Sequence, residues 1–309
     1  MLLTLTINPA IDRNVTVDRL VFEDRAYILA TSESAGGRGI NASFVIHSFG
    51  GDTHAIATAG GDAGRRLRGF LCNAGFPVDL VDIAANIREN LTITDRQGLT
   101  VKLNQPGPPI EPAELERVEQ TVRQALKGAR WLMICGSVPP GVPAGFYSRL
   151  VGMARDANVK VLLDTDGDPL LDGVEAGPTV VAPNKQEAER LLNTALITRG
   201  HFLEAATRIR RMGAESVILS LGSRGAVGAS ENGLIEVVPP RIDAVCPIGA
   251  GDALAAAFVW AIDKSGDFAD ALRWAVAAGT ASAQLPGVSF AGLEQTKELY
   301  PKVEVRQAR

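Results

Sequence analysis

The chain has 309 residues, 46% of them hydrophobic and 21% charged, and carries a formal net charge of -4 with acidic and basic residues interspersed. That much apolar material supports a folded core and excludes a disordered chain, while the mixed charge excludes the one-signed basic stripe on which nucleic-acid binding depends. The length exceeds the usual single-core size, yet α/β folds reach it as one domain with an appendage, so one domain over residues 1–309 is expected.

In chain order, residues 2–7 form a short apolar run of the kind that makes a buried parallel strand. The run is too short to span a bilayer and no basic segment precedes it as in a signal peptide, so a cytoplasmic protein with no membrane contact is expected. Residues 12–34 then alternate polar and apolar, as in Asn14-Val15-Thr16-Val17, which predicts half-exposed strands. A glycine-rich stretch from Ala35 leads into a helix that Gly50-Gly51 can end. Alternation returns over residues 86–106, as in Leu91-Thr92-Ile93-Thr94, and the two alternating stretches together predict a small β sheet projecting as a lid.

Beyond the lid the pattern is regular. Strand-like runs at residues 131–135, 159–163, 179–182 and 217–221 alternate with helical periodicity at 113–126, 145–155, 185–192 and 203–212. A last helical run, 253–262, puts Leu254, Phe258 and Ile262 on one face, and the charged tail after about residue 296 reads as marginal. Such alternation predicts a doubly wound, mostly parallel α/β sheet with ligands beyond the carboxyl ends of its strands. Cys72, Cys135 and Cys246 have no paired spacing, which fits a reducing compartment and residues used for packing. His47, His54 and His201 show no metal-ligand spacing either.

Glycines open a helix at Pro247-Ile248-Gly249-Ala250-Gly251-Asp252. Backbone N–H groups there, with Gly249 and Gly251 removing side-chain bulk, can converge on an anion, and the helix dipole adds to the attraction. Asp252 can accept a proton from a substrate hydroxyl, a role worth about 10²- to 10⁴-fold in rate. The same residues also suit a plain turn with Asp252 as a helix cap.

In Ala35-Gly36-Gly37-Arg38-Gly39-Ile40-Asn41-Ala42 the glycines allow close approach of a ligand, and Arg38 and Asn41 suit one that is hydroxylated or phosphorylated. Gly37-x-Gly39-x-x-Ala42 is also a loose nicotinamide fingerprint, but no buried strand precedes it and no acidic residue ends a strand about twenty positions on. Asn184-x-x-Glu187 fits a capping box and equally a polar pair orienting water around magnesium; the two can coexist. The turns 136–141 and 220–226 follow strands, where α/β folds bind ligands. Arg88-Glu89-Asn90 is either an exposed polar triplet or a phosphate contact through Arg88.

Taken in order, Asn8-Pro9-Ala10-Ile11-Asp12, the Gly36 to Asn41 loop, Arg88-x-Asn90, the 136–141 turn, Asn184-x-x-Glu187, the 220–225 turn and Gly249-Ala250-Gly251-Asp252 resemble the PfkB, or ribokinase-like, carbohydrate kinases. The resemblance covers almost the whole chain. Within the family it is greatest to the hexose-phosphate branch, which includes 1-phosphofructokinase, tagatose-6-phosphate kinase and the minor 6-phosphofructokinase.

The resemblance implies a ribokinase-like fold, ATP and Mg2+, Asp252 as base, and an anion hole formed by the N–H groups of Gly249, Ala250 and Gly251. It places Asp12, Gly36, Gly37, Asn41, Arg88, Asn90 and Ser137 around a sugar phosphate, whose phosphate Arg88 would hold together with Arg38 or Arg25. Asn184 and Glu187 would serve magnesium, through water, and the nucleotide phosphates, while Ser220, Gly222 and Gly225 would line the ATP site beside Gly251. The lid would close over the sugar and exclude water, and a homodimer through the lid is implied as well.

Departures from the family pattern are local. Many relatives carry lysine where Arg38 stands, so a point-like ammonium becomes a planar fork. Cys246-Pro247 replaces a polar pair, and Pro247 offers neither a hydroxyl nor an N–H. Leu285-Pro286 stands near where some relatives place an asparagine beside the adenine or a monovalent cation, which argues against a potassium requirement. The expected reaction is in-line transfer of the ATP γ-phosphoryl to fructose 1-phosphate or fructose 6-phosphate. Tagatose 6-phosphate, then an unphosphorylated sugar or nucleoside, are the alternative acceptors. A non-catalytic sugar-phosphate-binding regulator and a nicotinamide oxidoreductase are the readings from other classes.

Overall fold

The computed structural model describes residues 1–21 and 23–308; residue 22, inside the expected lid stretch, and residue 309 lie outside the described residues. Its strands are β1 (Leu2–Thr6), β2 (Ala10–Val17), β3 (Ile28–Gly36), β4 (Thr53–Ala59), β5 (Val78–Asp82), β6 (Arg88–Asp95), β7 (Thr100–Asn104), β8 (Trp131–Cys135), β9 (Lys160–Asp164), β10 (Val180–Val181), β11 (Ser216–Ser220), β12 (Ala226–Ser230), β13 (Gly233–Val238) and β14 (Glu304–Gln307). Its α-helices are α1 (Arg38–Ser48), α2 (Gly61–Leu71), α3 (Pro112–Ala125), α4 (Phe146–Asp156), α5 (Gly167–Glu175), α6 (Lys185–Leu192), α7 (Arg199–Arg211), α8 (Ala250–Ser265), α9 (Phe268–Ala283) and α10 (Leu293–Leu299).

Ten strands form one sheet in the order β14-β13-β12-β11-β10-β9-β8-β1-β4-β5. From β11 to β5 neighbouring strands run parallel, and β12, β13 and β14 extend the edge antiparallel. The central strands are apolar on both faces, as a sheet covered on two sides requires. In β8, Leu132 and Ile134 enter one core while Trp131, Met133 and Cys135 enter the other. Side chains of α2 through α7 fill the first core, and α8, α9 and most of the apolar residues of α1 fill the second. Burying one such leucine or isoleucine is worth about 1.5–3 kcal/mol.

The chain begins at β1, in mid-sheet, moves outward through β4 and β5, and then returns to β8 and proceeds the other way. The reversal between β1 and β8 is a topological switch point, where the strand ends leave a crevice for ligand. Over this crevice stands a second sheet of order β3-β2-β6-β7, the expected lid. Asp12 is opposite Ser34 of β3 and Asn90 of β6, so the period of two puts polar side chains on one face. The next register brings Val15, Ile93 and Val101 together on the other face.

Two expectations are corrected. The tail is not marginal: Leu299 and Val303 are buried in the second core, and β14 pairs antiparallel with β13. Backbone pairing at a sheet edge needs no apolar side chains, so the charged Glu304 and Arg306 did not signal a strand. Of the three thiols only Cys135 is a buried packing residue; Cys72 is exposed and Cys246 is half-buried. Among the described residues no helix is long and apolar enough to cross a membrane.

Candidate active site

At the switch point the first turns of α1 and α8 meet the carboxyl ends of β1, β8 and β9. Asp252 stands in the first turn of α8, whose cap, Gly249, has a φ of 81°, a left-handed conformation that glycine adopts without strain. Asn41 Nδ2 donates to Asp252 Oδ2 at 2.7 Å. Burial, reinforced by the negative charge of Asp164, pushes Asp252 up to about 7, against the Asn41 hydrogen bond and the Arg38 charge. A carboxylate poised there suits a general base at neutral pH. Among the described residues the N–H groups of Gly249 and Gly251 make no hydrogen bond, whereas that of Ala250 donates to Pro247 O at 3.3 Å. Unsatisfied N–H groups in a helix first turn are able to converge on an anion.

Arg38, the first residue of α1, is the centre of an ion-pair knot. Its Nη1 donates to Asp164 Oδ1 at 2.7 Å and its Nη2 to Glu187 Oε1 at 3.0 Å, with Asp166 Oδ2 3.5 Å away. Burial pushes the Asp164 and Glu187 carboxyls up and Arg38 opposes the shift; the carboxylates hold Arg38 itself far above the ordinary range. Glu187 also completes the capping box: its Oε2 accepts from Asn184 N at 2.8 Å, and Asn184 Oδ1 accepts from Glu187 N at 3.0 Å. The apolar run predicts a strand that ends at residue 163, so that run alone does not point to Asp164 or Asp166 as site residues. The signal was present in Asp164-Thr165-Asp166-Gly167, carboxylates at the carboxyl end of a parallel strand just before a glycine turn. Among the described residues no three His, Cys, Asp or Glu side chains are arranged to hold a metal ion directly.

The lid brings Asp12, Arg88 and Asn90 over this floor. Asn90 Nδ2 donates to Asp12 Oδ1 at 2.8 Å, and burial pushes the Asp12 carboxyl up against that bond and the charges of Arg88 and Lys102. Gly36 packs so closely that a Cβ there would lie 2.3 Å from Asp12 Oδ2. Arg88 Nη1 donates to Gln105 O at 3.2 Å while its buried Nε has no partner, and burial pulls the guanidinium down from its ordinary range with Asp12 opposing. Gly37 caps α1 beside Arg38, and Ser137 Oγ, after β8, accepts from Asn8 Nδ2 at 3.1 Å. Ser220 bridges to Asn184, and Leu221 N donates to Gly225 O at 2.8 Å, so the turn carrying Gly222 and Gly225 adjoins the capping box. Arg25 is not brought to this cluster: it is exposed in the β2–β3 connection, where its N–H donates to Asp24 Oδ1 at 2.7 Å.

A carboxylate base before free helix N–H groups, with an arginine under a lid, is equipment for moving a phosphoryl group onto a hydroxyl. The profile of the pfkB family carbohydrate kinases matches residues 5–296, and the chain belongs to this family. It is a phosphotransferase of the alcohol-acceptor class with the ribokinase-like α/β fold.

Among known relatives, the chain is 31% identical over 301 residues to the ATP-dependent 6-phosphofructokinase isozyme 2 of Mycobacterium tuberculosis, covering 97% of this chain and 88% of the relative. It is 30% identical over 284 residues to the 1-phosphofructokinase of Borreliella burgdorferi, covering 92% of each. The tetrameric inhibited form of phosphofructokinase-2 from Escherichia coli superposes with a TM-score of 0.90 at 29% identity, covering 97% of this chain and 98% of that one.

Proposed function

We propose that the enzyme transfers the γ-phosphoryl group of ATP to a free hydroxyl of fructose 1-phosphate or fructose 6-phosphate, giving fructose 1,6-bisphosphate and ADP. The observation that carries this reading is Asp252, poised near 7 in the first turn of α8 beside the unpaired N–H groups of Gly249 and Gly251. Asp252 takes the hydroxyl proton as the substrate oxygen attacks the γ-phosphorus, and the bond to the bridging oxygen breaks to release ADP. The Gly249 and Gly251 N–H groups hold the negative charge of the group in transit.

Arg88 is the arginine that suits the phosphate already on the sugar, because its guanidinium is half-buried and incompletely bonded. A cation in that state gains most from a bidentate anion. Arg38 directs both of its Nη atoms to carboxylates and so fixes Asp164 and Glu187. Asp12, Asn90 and Ser137 offer hydrogen bonds to sugar oxygens, and Gly36 and Gly37, without side chains, let Asp12 and Thr6 pack directly against the backbone at the edge of the sugar site. The turn with Ser220, Gly222 and Gly225 takes the nucleotide. Magnesium arriving with ATP supplies neutralisation of phosphate charge. The oxygens of Asn184 and Glu187 fit it through water, since each already accepts one protein hydrogen bond and keeps a second lone pair. The three free thiols suit the cytoplasm, where ATP and sugar phosphates are found. Pairing of two copies through the lid is the assembly that its exposed apolar residues favour.

The test is ADP production with magnesium and ATP against fructose 1-phosphate, fructose 6-phosphate, tagatose 6-phosphate, fructose and ribose. A preference in kcat/KM for one fructose phosphate is expected. No ADP with either fructose phosphate, under conditions where another sugar is turned over, would sink the assignment.

A further inference from the structure

Asn8, just past the end of β1, is only 3% exposed and makes contacts far from its own neighbourhood. Its Nδ2 donates to Pro106 O at 3.0 Å and to Ser137 Oγ at 3.1 Å, while its buried Oδ1 has no partner. The orientation of the amide is fixed, because the Pro106 carbonyl can only accept. Both amide hydrogens are thereby used. Ser137 Oγ accepts one of them, so its own proton remains for another acceptor.

The turn behind Ser137 is immobilised. Gly136 O accepts from Tyr147 OH at 3.0 Å and Thr165 Oγ1 at 2.9 Å, and Gly136 N donates to Asp164 O at 2.7 Å. Pro106 lies in the segment that returns the chain from the lid, after β7, to the core at α3. The neighbouring Gln105 accepts from Arg88 Nη1 through its backbone carbonyl and from Glu89 N through Oε1. A single amide therefore spans the switch point between β1 and β8 and is also fastened to the lid's return crossing.

We infer that Asn8 is a positioning residue, which makes the Ser137 hydroxyl a donor toward an oxygen of the bound sugar phosphate and ties that donor to the lid. The inference rests on the sugar-phosphate kinase reading and adds how acceptor binding is linked to lid position. An asparagine that merely joined two loops would support sugar and nucleotide binding alike. One acting through Ser137 affects the sugar side alone.

The experiment is a double-mutant cycle of Asn8→Ala and Ser137→Ala, read as separate KM values for the fructose phosphate and for ATP, with thermal melts. Each single variant is expected to raise the sugar-phosphate KM about tenfold and leave the ATP KM within about twofold, and the double variant to be no worse than Ser137→Ala. Asn8→Asp keeps the volume but turns the Ser137 proton toward itself, and is expected to raise the sugar-phosphate KM at least as far. Additive losses, equal rises in both KM values, or an unchanged sugar-phosphate KM in Asn8→Asp would overturn the inference. A parent protein that turns over no sugar phosphate would instead overturn the kinase reading and this inference with it.

Discussion

Asn41 Nδ2 lies 2.7 Å from Asp252 Oδ2, a bond that joins the first turn of α1 to the first turn of α8. The donor favours the ionised carboxylate; burial and the nearby Asp164 favour the acid, and the balance falls at about 7. Only the ionised form can take a proton, so kcat is expected to rise with pH through about 7 and to level above it. In Asn41→Ala the favouring bond is gone and the midpoint moves upward. The variant is therefore expected to be impaired at neutral pH and to recover part of its rate at about pH 9. A midpoint that stays put in Asn41→Ala would separate the titrating group from Asp252.

Replacing the carboxylate itself is the more direct test of the base. Asp252→Asn keeps the shape of the first turn but cannot accept the proton at neutral pH. Turnover is expected to fall at least about a hundredfold, with dissociation constants for ATP and sugar phosphate changed by less than about threefold. Near-normal turnover would place the base elsewhere.

The Arg38 knot makes a prediction about stability. Asp164 and Glu187 are nearly inaccessible and share one guanidinium. Arg38→Met leaves two buried carboxylates without their cation, a change that costs about 3–5 kcal/mol. Burial already raises both carboxyls above their unfolded values, and without Arg38 they rise further. A carboxyl whose folded pKa is raised destabilises the fold as pH climbs through the interval above its unfolded value. The loss in Arg38→Met is thus expected to be larger at pH 8 than at pH 5.5 in chemical denaturation, with Arg38→Lys intermediate. Equal stability of Arg38→Met and the parent at pH 8 would show that the knot contributes nothing.

Much of this architecture was legible because it rests on periodicity. Strands such as β8, apolar on both faces, and helices such as α6 stand where the residue pattern put them, and the lid strands follow the polar and apolar alternation. Elements built from small or mixed residues were not legible. β4, reading Thr-His-Ala-Ile-Ala-Thr-Ala, and α9, which packs on α8 largely through alanines, give weak apolar contrast. In the site, the residues followed from local glycine motifs, but their partners did not. Arg38 reaches Asp164 across 126 positions, and Asn41 reaches Asp252 across 211. Only the fold brings such pairs together, so the motif that suggests Arg38 as a ligand for sugar phosphate gives no sign that two of its N–H groups are directed to buried carboxylates.

Arg88 is the complementary case, a guanidinium whose bonds are not all made. Arg88→Ala is expected to raise the KM for the sugar phosphate at least tenfold, on the order of one charge-assisted hydrogen bond, with little change in the ATP KM. It should also erase much of the preference for a phosphorylated over an unphosphorylated ketose. Arg88→Lys should fall between, since a point charge replaces the fork. A rise confined to the ATP KM would move Arg88 to the nucleotide side.

The lid carries a further expectation, because its outer residues are apolar where a lone monomer would leave them in water. Ile28 is 67% exposed, Leu99 58% and Leu103 54%, and Leu103 stands opposite Leu91 in the register of β6 and β7. An exposed apolar sheet face of this kind is relieved when a second copy covers it. Light scattering at micromolar concentration is expected to give a dimer or a multiple of it. Leu103→Asp should shift the protein toward monomer, since a carboxylate in the covered face would be desolvated without a partner. Because the inner face of the same sheet holds Asp12 and Asn90, separation of the copies should also raise the sugar-phosphate KM more than the ATP KM. A parent that is monomeric at every concentration, or a Leu103→Asp variant that assembles normally, would remove the lid from the interface.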